Sequence, residues 1–328
     1  MNYLLVGTGN ISKTYIKAIE NVENATITGC VSRSGRSPEA APALKSFRSI
    51  GEADVPFDAI IITTPNGLHH ESAIEAASLG KHVLTEKPLD ITMKAMDDMI
   101  SACDKAGVTL AVSYQRRMSP DNLSLKKLFE SNAFGRIYAA DLSCKFWRDQ
   151  AYYDSGDYRG GYAIDGGGPF MQQACHNIDL YQWFFGMPSD VKSTLATLAH
   201  PIEAEDHGAA VLRHGNGMIG TIIASTLAKP GLPARLEVHT EKGYFTTIDD
   251  KIAVWEIEGI PNPADKTDSY VQAGASSHQV SDTGRHEAII RDFETAAATG
   301  KKPLVTAESA RNTTELILRI YESKPYRA

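Results

Sequence analysis

Cysteine is scarce in this chain: residues 30, 103, 144 and 175 are the only four. They are far apart, with neither CxxC spacing nor a Cys/His ligand pattern, so no disulfide framework and no metal site is expected. Unpaired thiols of this kind fit a reducing cytoplasm. Long apolar runs are missing too, which excludes a spanning helix by sequence. The opening Met-Asn-Tyr-Leu-Leu-Val-Gly has no basic n-region followed by an apolar stretch, so no secretory signal is expected. Positive charge is not in excess. Lys and Arg number 33 against 40 Asp and Glu, a net charge of −7. That balance argues against nucleic acid or an anionic membrane as a general partner, and leaves room for a local basic pocket. Repeats and low-complexity tracts are absent. The 328 residues are enough for two domains of ordinary size, each with its own core.

Residues 1–120 alternate strand and helix patterns. Tyr3-Leu4-Leu5-Val6 reads as a buried parallel strand, followed at once by Gly7-Thr8-Gly9-Asn10-Ile11-Ser12 and a helical stretch. This is G-x-G-x-x-S. The first glycine makes the tight turn and the second lets backbone approach a pyrophosphate at the helix N-terminus. Its place directly after a strand and before a helix gives the motif weight that it lacks alone. A second strand over 26–31 ends in Ser32-Arg33-Ser34-Gly35-Arg36. An acidic residue here would select the ribose 2′-hydroxyl of NAD(H). Hydroxyls and two arginines suit the 2′-phosphate of NADP(H) instead, so NADP(H) is the favoured cofactor and NAD(H) the alternative. Strands over 58–63, 82–85 and 108–112, with helices to about 79 and over about 92–105, complete a doubly wound parallel sheet. Ligands bind such sheets beyond the C-terminal strand ends. Thr64, Pro65, Asn66 and His69 lie at one such end, and Glu86 and Lys87 at another.

Residues 121–328 read as an α+β domain with a large, mostly antiparallel sheet. A strand over 137–147 and six more over about 190–257 are joined by short turn signals. The polar stretch from about 259 to 284 reads as a loop, and helices are expected near 285–299 and 306–323. Between the first strand and the others lies the 165–186 segment, read as one helix. At about 3.6 residues per turn, Phe170, Ala174, Ile178, Tyr181 and Phe185 share one face, and Gln172, His176, Asp179 and Trp183 the other. Gly166-Gly167-Gly168 before it would let another backbone or a flat ligand come close. The preceding 146–161 loop is rich in aromatics and arginine. Trp147 and Tyr153 offer apolar faces to a sugar, and Arg148 and Arg159 suit hydroxyls, carboxylates or phosphates. Arg117, Gln172 and Asp179 complete the candidate substrate contacts.

The motifs GTGNIS (7–12), TPNGLH (64–69), GKHVLTEKPL (80–89) and GGG followed by H-x-x-D (166–179) occur in an order that resembles the glucose-fructose oxidoreductase and inositol dehydrogenase-like (Gfo/Idh/MocA) family. The resemblance spans most of the chain and specifies no substrate. It implies an N-terminal Rossmann dinucleotide-binding domain over 1–120 and a substrate-binding and oligomerisation domain over 121–328, whose last helix returns toward the first. It also implies that Lys87 and His176 converge, Lys87 polarising the substrate oxygen and His176 acting as acid/base, with Asp179 as a supporting acceptor. Many relatives carry an aspartate one turn before the histidine. Gln172 stands there instead, so no carboxylate role transfers to that position.

The expected activity is an NAD(P)-dependent dehydrogenase or reductase acting on a sugar, sugar nucleotide or cyclitol. Two other classes share these features: a regulator that binds cofactor and sugar without turnover, and a glycoside hydrolase that uses bound NAD transiently. The run at 218–223 on a wide sheet leads us to expect a homodimer or homotetramer.

Overall fold

The computed structural model describes residues 1–268 and 282–323. The part of the expected 259–284 loop that falls on 269–281 lies outside the described residues. The chain divides into two compact units, Met1–Gln115 with Asp282–Arg311, and Arg116–Ser281 with Asn312–Ala328.

The first unit opens with β1 (Asn2–Val6), α1 (Asn10–Glu20), β2 (Thr26–Val31), β3 (Ser46–Phe47), β4 (Ala59–Ile62), α2 (His69–Ser78), β5 (His82–Thr85), α3 (Met93–Ala106) and β6 (Leu110–Val112). The strands form one sheet in the order β3-β2-β1-β4-β5-β6, with every pair parallel. Leu4, Leu5, Ile60, Ile61, Val83 and Leu84 have no exposed surface. That is why these strands read as unbroken apolar runs: helices cover both sheet faces, so no position alternates toward water. The two-residue β3 is too short to leave a periodic signal. Strand order reverses between β1 and β4, which places the ends of both at a topological switch point. Thr92 caps α3 by accepting from the Ala95 N–H at 3.2 Å.

The second unit contains α4 (Pro120–Glu130), β7 (Ile137–Lys145), α5 (Gln150–Asp154), α6 (Pro169–Gln172), α7 (Cys175–Phe185), β8 (Asp190–Ala196), β9 (His207–Arg213), β10 (Ile219–Ser225), β11 (Arg235–Thr240), β12 (Gly243–Ile248) and β13 (Lys251–Ile257). Sheet order is β13-β12-β11-β7-β10-β9-β8. Five of its pairings are antiparallel, and β7 with β10 is parallel. One face buries Ala140, Leu142, Ala210, Leu212, Ile222 and Val238. Phe129, Phe134, Phe184 and Phe245 form an aromatic cluster beside it, with Phe129 to Phe184 centroids 5.1 Å apart. The opposite face exposes Val211, Ile219 and Tyr244.

After the second sheet come α8 (Gly284–Thr299) and α9 (Ala307–Glu322). The expected cut after residue 120 misses the return of 282–311 to the first unit. The return has a physical cause. Helix α8 packs on α1 and β5, and its Phe293 lies against Tyr3 and His82, covering sheet surface that the first 115 residues leave bare.

The expected single helix over 165–186 is two, because the hydrogen-bond ladder steps at Gln173. Ala174 donates to the Pro169 carbonyl five residues back at 2.8 Å, and the next turn restarts from the Ala174 carbonyl. The step rotates everything after it, so the expected shared polar face does not hold as drawn. Asp179 is fully buried, whereas Gln172, His176 and Trp183 are half-buried.

Asp179 accepts from Arg117 Nε at 2.7 Å and Arg117 Nη2 at 2.5 Å, and the Thr313 hydroxyl adds a third bond at 2.8 Å. Both charged side chains are at most 1% exposed. The Arg117 guanidinium also lies over the Trp183 ring, 5.1 Å from its centroid. Asp179→Ala strands a buried cation, which costs about 3–5 kcal/mol. We therefore expect a large fall in the urea midpoint of that variant. A midpoint within error of the unmodified protein would show that the pair does not hold the second unit together.

Candidate active site

The nucleotide end is built from β1, β4 and the N-terminus of α1. Gly7 has φ +99°, and a Cβ there would stand 2.8 Å from the Thr63 backbone. Only glycine lets the two strand ends pass so closely. The Thr63 hydroxyl fixes the crossing by donating to the Val6 and Gly7 carbonyls at 3.0 and 2.8 Å. Gly9 precedes α1 without a side-chain cap, no acidic residue occupies the first turn, and a Cβ at Gly9 would meet nothing within 4 Å. An uncapped eleven-residue helix start with open space above it suits a pyrophosphate. Asn10 and Ile11 form the first turn, and the Ser12 hydroxyl closes the loop on the Gly9 carbonyl at 2.6 Å. Thr8, Ser32 and Ser34 form a hydroxyl chain at 3.4 and 2.9 Å beside exposed Arg33 and Arg36.

Lys87 follows β5 and is half-buried. Its backbone N–H donates to Glu86 at 3.1 Å, and the other Glu86 oxygen accepts from the Tyr15 hydroxyl at 2.7 Å. Burial and the Glu86 charge push the Tyr15 phenol well above its ordinary range, so it serves only as a donor here. His286 lies 4.0 Å from Glu86, and burial pulls its imidazole toward the neutral form. Pro65 and Asn66 lead into α2 through a turn in which the Thr64 hydroxyl reaches the Leu68 carbonyl. His69 has no exposed surface. Its Nδ1 lies 2.9 Å from the Pro88 carbonyl and its Nε2 3.0 Å from the Thr64 carbonyl. The ring ties two strand-end loops together and has no face for a cofactor, which corrects its place among the cofactor contacts. Tyr15 gave no sequence signal beyond an apolar helix position, and its partner Glu86 lies 71 residues away.

In the second unit the glycines meet protein rather than a flat ligand. A Cβ on Gly168 would stand 1.8 Å from the Glu205 carbonyl oxygen, and one on Gly167 2.1 Å from the Tyr321 hydroxyl. Gln172 donates to the Asp165 carbonyl at 2.7 Å, closing the loop that delivers α6. His176 stands in the first turn of α7, half-buried. Arg117 and Asp179 bind each other in the core, so burial removes both from the substrate contacts. Tyr153 is also corrected: it is 5% exposed and its hydroxyl bonds Thr226 at 2.8 Å. Trp147 remains half-buried beneath the Lys229 ammonium. Arg148 is buried and Arg159 half-buried, both against the Tyr152 ring. His207, a further histidine of the second unit, stands in β9 against Ser225 and Ala196. Among the described residues no group of three or more His, Cys, Asp or Glu side chains is arranged to hold a metal ion. No described helix is long and apolar enough to cross a membrane.

Glu205 is the least expected group of this unit. It is 2% exposed, accepts from the Gly168 and Phe170 N–H groups at 3.1 and 3.2 Å, and from the Tyr321 hydroxyl at 3.0 Å. Burial outweighs these bonds and pushes its carboxyl from an ordinary 4.5 up to about 7. Between those values the folded chain holds a proton that the unfolded chain has lost. The stability this contributes is complete below 4.5 and falls as pH rises through about 7. The span amounts to at most about 3 kcal/mol. Urea unfolding at a series of pH values should show the decline, and Glu205→Gln should flatten it. Equal slopes for the two proteins would assign the proton elsewhere.

Comparison with known proteins agrees with the fold class. Residues 1–114 match the model of the oxidoreductase family with an NAD-binding Rossmann fold, and residues 122–246 match the GFO/IDH/MocA C-terminal domain. The scyllo-inositol 2-dehydrogenase (NADP(+)) IolU of Bacillus subtilis is 28% identical over 279 residues, covering 76% of this chain and 82% of its own. The myo-inositol 2-dehydrogenase of Thermotoga maritima is 25% identical, covering 73% and 72%. Among solved structures, the WlbA dehydrogenase of Bordetella pertussis in complex with NADH and UDP-GlcNAcA superposes with a TM-score of 0.84. It is 32% identical, covering 98% of this chain and 95% of its own.

Proposed function

Because the chain belongs to the GFO/IDH/MocA oxidoreductase family, we propose that it transfers hydride between a nicotinamide cofactor and a secondary alcohol or ketone of a sugar, sugar nucleotide or cyclitol. The observation that carries the reading is the retention of Lys87 and His176 together with a nucleotide loop whose space above Gly9 is open. Gly7, Thr8, Gly9, Asn10 and Ile11 would hold the pyrophosphate, and Ser32, Arg33, Ser34 and Arg36 the adenosine ribose. A nicotinamide bound there supplies the hydride acceptor or donor. His176 takes the hydroxyl proton during oxidation and returns it during reduction. The Lys87 ammonium faces the developing alkoxide, and the Glu86 contact to its backbone holds its loop. Buried thiols, none of them in a disulfide among the described residues, support a cytoplasmic location.

Net turnover of nicotinamide with sugars and cyclitols tests this reading against a binding-only regulator and against a hydrolase that recycles its cofactor. His176→Ala and Lys87→Ala should each lose about 10²–10⁴ in single-turnover hydride transfer. His176→Ala should retain cofactor affinity. Undiminished transfer in that variant would place the base elsewhere. In the same titrations we expect tighter binding of NADPH than of NADH, since residues 32–38 contain no carboxylate to repel a 2′-phosphate. Arg33→Asp should reverse that order, and equal affinities in the unmodified protein would refute it.

The exposed sheet face carrying Val211, Ile219 and Tyr244 supports a homodimer or homotetramer that buries it. Sedimentation at micromolar concentration should give a multiple of 35.6 kDa. A monomer throughout would reject the assembly.

A further inference from the structure

We propose that the second unit binds one buried water molecule between helix α7 and the β12–β13 turn, held by Asn177 and Asp250. Such a site is independent of the oxidoreductase activity proposed above. A cavity lies between the helix layer and the sheet, walled by Leu142, Leu180, Phe184 and Leu236, with Asn177 and Asp250 in its lining. The room for a guest's centre is about 10 Å³, the space that one water needs. Asn177 is 6% and Asp250 5% exposed. Asn177 Oδ1 and Asp250 Oδ1 each lack a hydrogen-bond partner among the described residues. Both atoms are acceptors, and a buried acceptor left unmatched is costly. The group that satisfies both must donate two hydrogens and be no larger than water.

Charge decides between water and a small cation. Arg116 Nη1 stands 3.5 Å from Asp250 Oδ1, and both side chains are at most 5% exposed. The guanidinium offsets the carboxylate, so a second cation beside it would be repelled. At that distance the pair is an ion contact rather than a close hydrogen bond, which leaves the oxygen open to a neutral donor. Asn122, also in the lining, spends its Nδ2 on the Arg116 carbonyl at 2.9 Å. The turn itself brings the carboxylate here. Ile248 pairs with Lys251, so Asp249 and Asp250 form the whole loop, with φ +45° and +71°. Two-residue loops with both φ positive favour Asn-Gly, and glycine at 250 would fit the backbone better while removing the acceptor. The Ser119 hydroxyl donates to the Asp250 carbonyl at 3.1 Å, and the Ala234 N–H to the Asp249 carboxylate at 2.9 Å, which fixes the turn in this form. Asn177 lies in the first turn of α7, its N–H on the Ala174 carbonyl at 2.9 Å. A water between the two side chains therefore links the hairpin to the helix that carries His176.

The test compares the full chain with Asn177→Leu, by urea unfolding and by oxygen-17 magnetic relaxation dispersion, which counts long-lived waters. Leucine at 177 takes the water's space and leaves Asp250 unmatched. The folding equilibrium of the variant should therefore fall about 10- to 100-fold, and its dispersion amplitude by about one water. With no water bound, the substitution only removes an unmatched acceptor from an apolar-walled cavity. An unchanged or raised urea midpoint, or equal dispersion amplitudes in the two proteins, would overturn the site. Should the variant not fold, rotating-frame NOE spectra of the unmodified protein decide. They should show a cross-peak between water and the Asn177 side-chain amide, and its absence would reject the proposal. Urea midpoints in sodium, ammonium and choline chloride at equal ionic strength should agree. A rise with sodium or ammonium that Asn177→Leu abolishes would give the site to a cation and overturn the water.

Discussion

The buried pair of Arg117 and Asp179 is the interaction on which the second unit depends. It joins the segment after β6, the middle of α7 and, through Thr313, helix α9. Burying two charges is unfavourable unless their geometry is good and the remaining lone pairs are used. Here the contact is two-pronged, a hydroxyl supplies a third bond and the indole of Trp183 covers the guanidinium. Fixing Asp179 fixes the helix in which His176 occupies the first turn. Two residues that look like ligands in a motif therefore act on the site by holding its helix.

Glutamate 205 plays a comparable part for the glycine loop. Its backbone and Tyr321 fill the space that side chains at 167 and 168 would need. The loop can take no other course, and α6 starts where Glu205 receives its first amides. In the first unit, Tyr15 and Glu86 connect the helix of the nucleotide loop to the backbone of Lys87. Catalytic candidates on short strand-end segments are thus held by buried acceptors that contribute no surface themselves, an arrangement that limits misplacement of the reacting groups.

Much of the fold is legible in the sequence. Strands 26–31, 82–85, 207–213 and 251–257 lie where alternation and apolar runs put them. The nucleotide loop was legible because glycine spacing, strand and helix follow one another within a dozen residues. Less was legible of the candidate site. The wheel drawn through residues 165–186 assumes an unbroken ladder, which the step at Gln173 interrupts, and Asp179 is held in the core by Arg117 and Thr313. Tyr153 looked like a sugar platform because aromatic residues in a loop suit that role, yet its hydroxyl closes on Thr226. His69 carried a motif position and proved to be a strut between carbonyls.

By itself the sequence determined the order of elements, the parallel doubly wound sheet, the two antiparallel runs β8–β10 and β11–β13 and the glycine loop. Each of these follows from preferences that act over a few residues: turn chemistry, periodicity and the need of a strand buried on both faces to be apolar throughout. Only the tertiary structure decided which polar residues face one another. The partners of Asp179, Glu86 and Glu205 lie 62, 71 and 116 residues away in sequence. Topology also decided the parallel pairing of β7 with β10 and the return of α8 to the first sheet. Such choices depend on which uncovered surface or unmatched charge remains once the local elements have formed, and no local pattern encodes that remainder.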